Sequence, residues 1–226
     1  NCVFVENTCT LSGGVGGGLH WFMGGRVIRG CSFLSNSASY GGGADTRGWP
    51  GTTLDRCRFV GNRAFEAGAW TDGDADRSQA TNCLFLNNEA IRSSGALRHG
   101  VATLWLTNCT IVGNRSGWAA GLWNGARAGA PVGMYVTNCI VRDNVTFDNI
   151  DQNIFDEERE GSSPSSVTYS NVKGGYAGVG NIDADPLFVN AAAGDLHLQP
   201  GSPCVNTGLN SAVTTAKDLD GNDRIR

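Results

Sequence analysis

Hydrophobic and polar positions alternate over short runs along this chain, and the whole pattern recurs with a period near 26 residues. Its clearest unit is Cys109-Thr-Ile-Val-Gly-Asn114, echoed as Cys2-Val-Phe-Val-Glu-Asn7, Cys31-Ser-Phe-Leu-Ser-Asn36, Cys57-Arg-Phe-Val-Gly-Asn62, Cys83-Leu-Phe-Leu-Asn-Asn88 and Cys139-Ile-Val-Arg-Asp-Asn144. In all six frames Asn follows Cys by five positions, and Phe, Ile or Val follows it by two. The Cys-to-Cys steps are 29, 26, 26, 26 and 30 residues. A glycine-rich element comes next in each of the first five periods: Gly16-Gly-Gly-Leu19, Gly42-Gly-Ala-Asp45, Ala67-Gly-Ala-Trp70, Ser94-Gly-Ala-Leu97 and Ala120-Gly-Leu-Trp123. A β-branched or aromatic run, such as Ala102-Thr-Leu-Trp-Leu-Thr107 or Gly133-Met-Tyr-Val-Thr137, then leads into the next Cys. No run keeps apolar residues at helical spacing for three turns. Each period therefore predicts three short strands separated by Gly, Asn, Ser and Asp turns.

Three strands cannot bury a core alone, but copies stacked in register can bury one continuously. Residues at one repeat position then form a column with a spacing of ~4.8 Å. Cys and the residue two beyond it share a strand face, so Cys2, Cys31, Cys57, Cys83, Cys109 and Cys139 are expected to line the interior. Asn7, Asn36, Asn62, Asn88, Asn114 and Asn144 are expected at a turn, where Asn tolerates the left-handed conformation and bonds its neighbours above and below. The predicted fold is an all-β parallel solenoid of three short strands per coil and roughly eight coils. Residues 1–144 hold the six regular repeats, and 145–226 read as irregular C-terminal coils and a terminal segment of the same domain. Within the latter, Leu187–Val189 and Asp195–Leu198 are expected to add further coils.

Composition narrows the function classes. The net charge is −4, and the 17 basic residues are scattered, which gives no case for nucleic acid. There is no apolar stretch near 18 residues, hence no transmembrane helix, and no signal peptide. A start inside the first frame and the lack of a closing cap read as a piece of a longer protein. Eight Cys without any C-x-x-C argue against a zinc site, and one Cys per period reads as a buried apolar column. Stacked Cys also lie within bridging range, so disulfides between coils stay open in an oxidising compartment.

The Phe-x-x-Asn pairs (Phe4–Asn7, Phe33–Asn36, Phe59–Asn62, Phe85–Asn88) with their Gly-Gly-Ala variants resemble the repeats of polymorphic outer-membrane protein passengers. The later segments Tyr169-Ser-Asn-Val, Gly180-Asn-Ile-Asp-Ala-Asp-Pro-Leu-Phe188, Gly201-Ser-Pro-Cys204 and Asp218-Leu-Asp-Gly221 resemble secreted right-handed parallel β-helix repeat proteins of bacterial surfaces. The fifth and sixth frames depart from that pattern, with Ile111 and Val141 in place of Phe. The resemblance implies right-handed coiling and export, and so an extracellular or cell-surface location.

Catalytic chemistry is weakly marked. A uronate lyase needs a base and a cation, and a glycoside hydrolase needs two spaced carboxylates. Neither a lyase signature nor a paired-Asp and Gly-His-Gly pattern is present. Aligning the glycine elements puts Arg47, Asp72 and His99 at equivalent positions on successive coils, and a one-residue shift stacks Asp72 on Arg98. These four would carry the chemistry of an enzyme; as a structural feature they read as an exposed ion-pair ladder worth ~0–1 kcal/mol per pair. Asp72-Gly-Asp-Ala-Asp76 and the turn with Asp218, Asp220, Asn222 and Asp223 are candidate Ca2+ loops, although the second lacks the distant Glu of an EF-hand. Trp70 and Trp123 read as core beside Leu19 and Leu97, while Trp49 and Trp118 are candidates for stacking on sugars or a partner. The expected function is a secreted or surface structural or adhesive solenoid, a subunit of an extracellular assembly or filament. Its partners would be copies of itself, other surface proteins or polysaccharide, with no cofactor required. A polysaccharide-binding or -degrading module is the alternative, and a passive spacer domain the second.

Overall fold

A computed structural model gives the fold and describes residues 1–10, 12–22, 25–48, 50–73, 77–100, 103–125, 133–158 and 164–224. Short strands stack in parallel, coil on coil, and the predicted three recur in each coil. The Phe sheet runs from Val3–Val5 through Ser32–Leu34, Arg58–Val60, Leu84–Leu86, Thr110–Val112 and Ile140–Arg142 to Asn171–Val172. The glycine-led sheet comprises Leu19–Phe22, Ala44–Arg47, Trp70–Asp72, Leu97–His99, Leu122–Asn124 and Ile154–Asp156. The Thr sheet comprises Val27–Arg29, Thr53–Asp55, Arg77–Thr81, Thr103–Thr107, Met134–Thr137 and Ser166–Thr168. A further short ladder follows the Asn column: Ser37–Tyr40, Arg63–Glu66, Glu89–Ser93, Arg115–Trp118 and Val145–Thr146.

Each coil bends at three corners, and each corner is one residue in the left-handed region. In the central coil these are Asn82 (φ 54°), Asn87 (φ 52°) and Ser94 (φ 63°). The second corner falls on the residue before the frame Asn, one position earlier than expected. The Asn itself is taken up by its ladder: Asn62 Nδ2 donates to Asn88 Oδ1 at 2.9 Å and to the Phe33 carbonyl at 2.9 Å. The backbone N–H of Asn62 also donates to Asn88 Oδ1, at 3.0 Å. Past the third corner the backbones approach so closely that only Gly fits. A Cβ on Gly68 would stand 2.4 Å from the carbonyl oxygen of Gly95.

Inside, the columns are those the frames predict, with Cys31, Cys57, Cys83, Cys109 and Cys139 buried, except that Cys2 on the first coil is exposed. Phe33, Phe59 and Phe85 are fully buried, with ring centroids 4.6 and 5.1 Å apart. Burying each such ring contributes roughly 1.5–3 kcal/mol. All eight Cys are free thiols. The column Cys accept backbone N–H groups from the coil before, as Cys83 Sγ does from Cys57 at 3.4 Å. Burial pushes the thiols of Cys83 and Cys139 well above the usual cysteine range, which keeps them protonated and unreactive.

The stack makes about five turns, fewer than the eight expected. The reason lies after Val172, where the chain leaves the ladders. Phe188–Asn190 and Asp195–Leu198 pair antiparallel with each other and add no parallel coil. The segment from about residue 183 onward runs back along the solenoid as a strap. Arg142 Nη1 donates to Asp183, Leu209 pairs with Asn138, Thr215 and Lys217 accept from Asn82, and Arg58 grips Asp220. Among the described residues no helix is long and apolar enough to cross a membrane.

Candidate functional site

The polar residues singled out from sequence gather where the glycine-led sheet turns toward the Thr sheet, but on two different faces. Asp72 pairs in register with His99, as expected, whereas its neighbour on the preceding coil is Thr46 and not Arg47. The slip has a local cause. The second coil carries Gly41-Gly42-Gly43, and the structure stacks Gly42, not Gly43, against Gly68. The same one-residue slip at Ala120-Gly121 sets Leu122 beside Leu97 and Trp123 beside Arg98, where Trp123 is still buried, at 5% exposed. Trp70 stays in the core.

Asp72 and His99 point into the solenoid and are both 0% exposed, which replaces the expected surface ion-pair ladder. His99 Nδ1 lies 3.1 Å from Asp72 Oδ2, and Ser78 Oγ donates to Asp72 Oδ1 at 2.8 Å. The column continues through Thr46, whose hydroxyl accepts from Trp70 Nε1 at 2.8 Å, and through Asn124, which donates to Asp156 Oδ1 at 2.9 Å. Tyr176 donates to Asp156 Oδ2, and burial first, then that bond, pushes the Tyr176 phenol above its usual range. A buried polar column of this kind is stable only because its members bond one another. It has the geometry of a structural spine, with the Ser78–Asp72–His99 bonds closed off from solvent.

The outer face carries the cations. Arg47 chelates Asp45 through Nε at 3.0 Å and Nη2 at 2.8 Å, and His20 Nδ1 lies 3.2 Å from the same carboxylate. Asp45 is 0% exposed, and burial raises its carboxyl despite the lowering effect of Arg47. Arg98 sits over the Trp123 ring at 4.3 Å and 3.4 Å from Glu66 Oε2. Glu66 also takes Arg92 Nη1, at 2.5 Å. The four sequence candidates therefore divide: Asp72 and His99 inside, Arg47 and Arg98 outside, each with its own partner.

Trp118 is half-buried and makes T-shaped contacts with Trp123 and Phe155, with ring centroids 5.6 and 5.3 Å apart. Trp49 and Asp74–Asp76 lie outside the described residues. In the terminal turn Asp218 accepts the N–H groups of Asp220 and Asn222 at 3.0 and 2.8 Å, Asp220 faces Arg58 and His197, and Asp223 faces Lys217. Among the described residues no group of three His, Cys, Asp or Glu side chains is placed to hold a metal ion.

Sequence reasoning missed a second column. Asn82, Asn108 and Asn138 precede their Cys at the first corner and face the strap, not the core. The signal was the repeated tripeptide Thr-Asn-Cys at 81–83, 107–109 and 137–139. Comparison with protein-family models, curated proteins and solved structures gives no match.

Proposed function

We propose that this chain is a structural or adhesive solenoid at the cell surface or outside the cell, a subunit of an extracellular assembly. The carrying observation is an interior consumed by stacking beneath an outer surface that keeps large apolar side chains exposed. The Phe, Asn and Cys columns and the Asp72–His99 pair are spent on holding coils together. On the first coil, by contrast, Val3, Val5, Phe22 and Val27 are 66, 52, 63 and 62% exposed. Exposed apolar side chains of this size favour contact with a partner. Extracellular placement follows the resemblance of the repeats, and polysaccharide and Ca2+ are carried as conditions of the test.

Sedimentation of the purified chain is the experiment. The expected result is concentration-dependent association that Val5→Lys with Val27→Lys abolishes while the circular dichroism spectrum is unchanged. A monomer at all concentrations would count against assembly through these side chains. Depolymerisation of a polysaccharide, with or without Ca2+, that is lost in His99→Gln would overturn the structural reading itself.

A further inference from the structure

The outer face of the Thr sheet changes character along the stack. Side chains alternate inward and outward on its strands, so Leu104, Leu106, Met134 and Val136 enter the core while Trp105 and Tyr135 stand outside, 38 and 44% exposed. These two are in register on successive coils. Their rings lie nearly parallel, 11° apart, with centroids 5.9 Å apart. That is wider than the 4.6 Å between Phe33 and Phe59 in the core, so the outer rings overlap only in part and keep open ring surface. Beside them runs a column of Thr81, Thr107, Thr137 and Thr168. Along the stack the rings are flanked by Gln79, whose Nε2 donates to Thr53 Oγ1 at 2.9 Å, and by the small Ser166. Charge lies elsewhere on the sheet: Arg29 pairs with Asp55 on its first two strands, and Arg77 stands at the corner of this block.

From Gln79 to Ser166 the block spans about 14 Å at the usual strand spacing. It offers two aromatic rings, a row of hydroxyls and a carboxamide, with no outward aliphatic side chain. A protein interface would centre on desolvated apolar and Arg side chains and be poor in Ser. A polyanion would call for cations, and the chain carries a net charge of −4. A neutral sugar chain fits what is present. The polarised C–H bonds on one face of a pyranose are attracted to the electron-rich face of an indole or phenol ring. Sugar hydroxyls both donate and accept, as do those of Thr and Ser. The ladders hold all these groups in fixed register before a ligand arrives, so little ordering is left to binding. We infer that the outer face of the Thr sheet around Trp105 and Tyr135 is a binding site for a neutral polysaccharide, which stacks its sugar rings on the aromatic pair and bonds its hydroxyls to the Thr column. Such a site rests on the adhesive reading, whose ligand class it names, and is separable from assembly because Val5 and Val27 lie on the first coil.

The full chain is titrated calorimetrically with cellohexaose, maltohexaose, mannohexaose and chitohexaose, and with hexagalacturonate as the acidic control. Saturable binding is expected with at least one neutral hexasaccharide, tighter than with the matching disaccharide, and none with hexagalacturonate. Trp105→Ala should weaken that binding at least about tenfold, as loss of an aromatic anchor does. Trp105→Phe should recover most of the loss and Trp105→Leu much less, because only the first restores an aromatic face. Trp105 projects outward, so the circular dichroism spectrum and the urea midpoint should change little in all three. Val5→Lys with Val27→Lys should bind the sugar as tightly as the unmodified chain, whether or not that chain assembles. No saturable binding to any neutral hexasaccharide, or equal binding by Trp105→Ala, would overturn the site. Tighter binding of hexagalacturonate than of every neutral probe would overturn the ligand class. Self-association that is lost in Trp105→Ala, with no sugar bound, would make this face a protein contact and overturn the site as well.

Discussion

The first and last coils of the solenoid are built from the same frame and finish differently. At the far end each column is closed by a residue from outside the repeat. Asn153 takes the next place in the Asn ladder, accepting from Asn144 Nδ2 at 3.0 Å and donating to the Lys173 carbonyl at 3.0 Å. Ser170 stands in for Cys, its Oγ accepting the Cys139 N–H at 3.0 Å, and Asn181 in turn accepts the Ser170 N–H at 3.0 Å. Ile154 and Tyr176 close the apolar column. At the near end Asn7 bonds downward to Asn36 at 2.8 Å, Phe4 stacks on Phe33 at 4.8 Å, and nothing among the described residues covers their other sides. A repeat specifies how coils stack, but the closure of a stack has to be written in non-repeating residues. This is why the irregular stretch after Asn144 is rich in hydrogen-bonded Asn, Ser and Tyr.

The comparison can be broken most directly through the Phe column. Phe59→Ala in the middle should cost about 3–5 kcal/mol, because a buried cavity flanked by two stacked rings cannot collapse. Phe4→Ala at the open edge should cost less than half as much, since that ring is only partly buried. Urea titration measures both, and equal costs would show that the first coil is as closed as the middle. A smaller effect sharpens the contrast through the ladders. Asn153→Ala leaves the Asn144 backbone N–H and the Lys173 carbonyl without partners, at about 1–3 kcal/mol. Asn7→Ala removes the side-chain bond to Asn36 and keeps the backbone N–H bond to the same oxygen, so it should cost about 1 kcal/mol or less.

The period, the inward Cys and Phe columns and the Asn ladder were legible in the sequence because each recurs six times at one spacing. Stacking in register leaves a repeated residue few places to go. Register at the glycine element was less legible, since the extra Gly of Gly41-Gly-Gly43 offers two alignments and only backbone clearance selects between them. That ambiguity moved Arg47 away from Asp72. Strap and caps were not legible at all: Asn153, Ser170 and Asn181 occur once each in their roles, and the strap follows the outside of the stack against the chain direction.

The smallest effect concerns the strap. His197 lies 2.5 Å from Asp195 and 3.1 Å from Asp220, and these bonds, Asp195 first, raise its imidazole above the ordinary value. The Asp195 carboxyl is lowered by the same His197 contact and stays ionised. Arg58, Lys217, Asp218 and Asp223 complete the charged surroundings. A raised folded-state value means that the tie is at full strength below the ordinary imidazole value, about 6.5, and is lost as pH rises through the folded value. The pair is exposed to solvent, so the change should be small. Looser side-chain amide signals of Asn82 and Asn138 at pH about 8.5 than at about 5.5 are expected, and the difference should vanish in His197→Ala. A difference that persists in that variant would place the pH response elsewhere.

Native-state hydrogen exchange tests the central contrast most directly, because it reads local opening coil by coil. Amide protection should be low in the first coil, at Glu6, Asn7 and Leu19, rise to the global value by Asn62, and remain there through Cys139 and Asn144 up to the capping residues. Protection that falls equally toward both ends would contradict the account, as would protection lowest at Cys139 and Asn144.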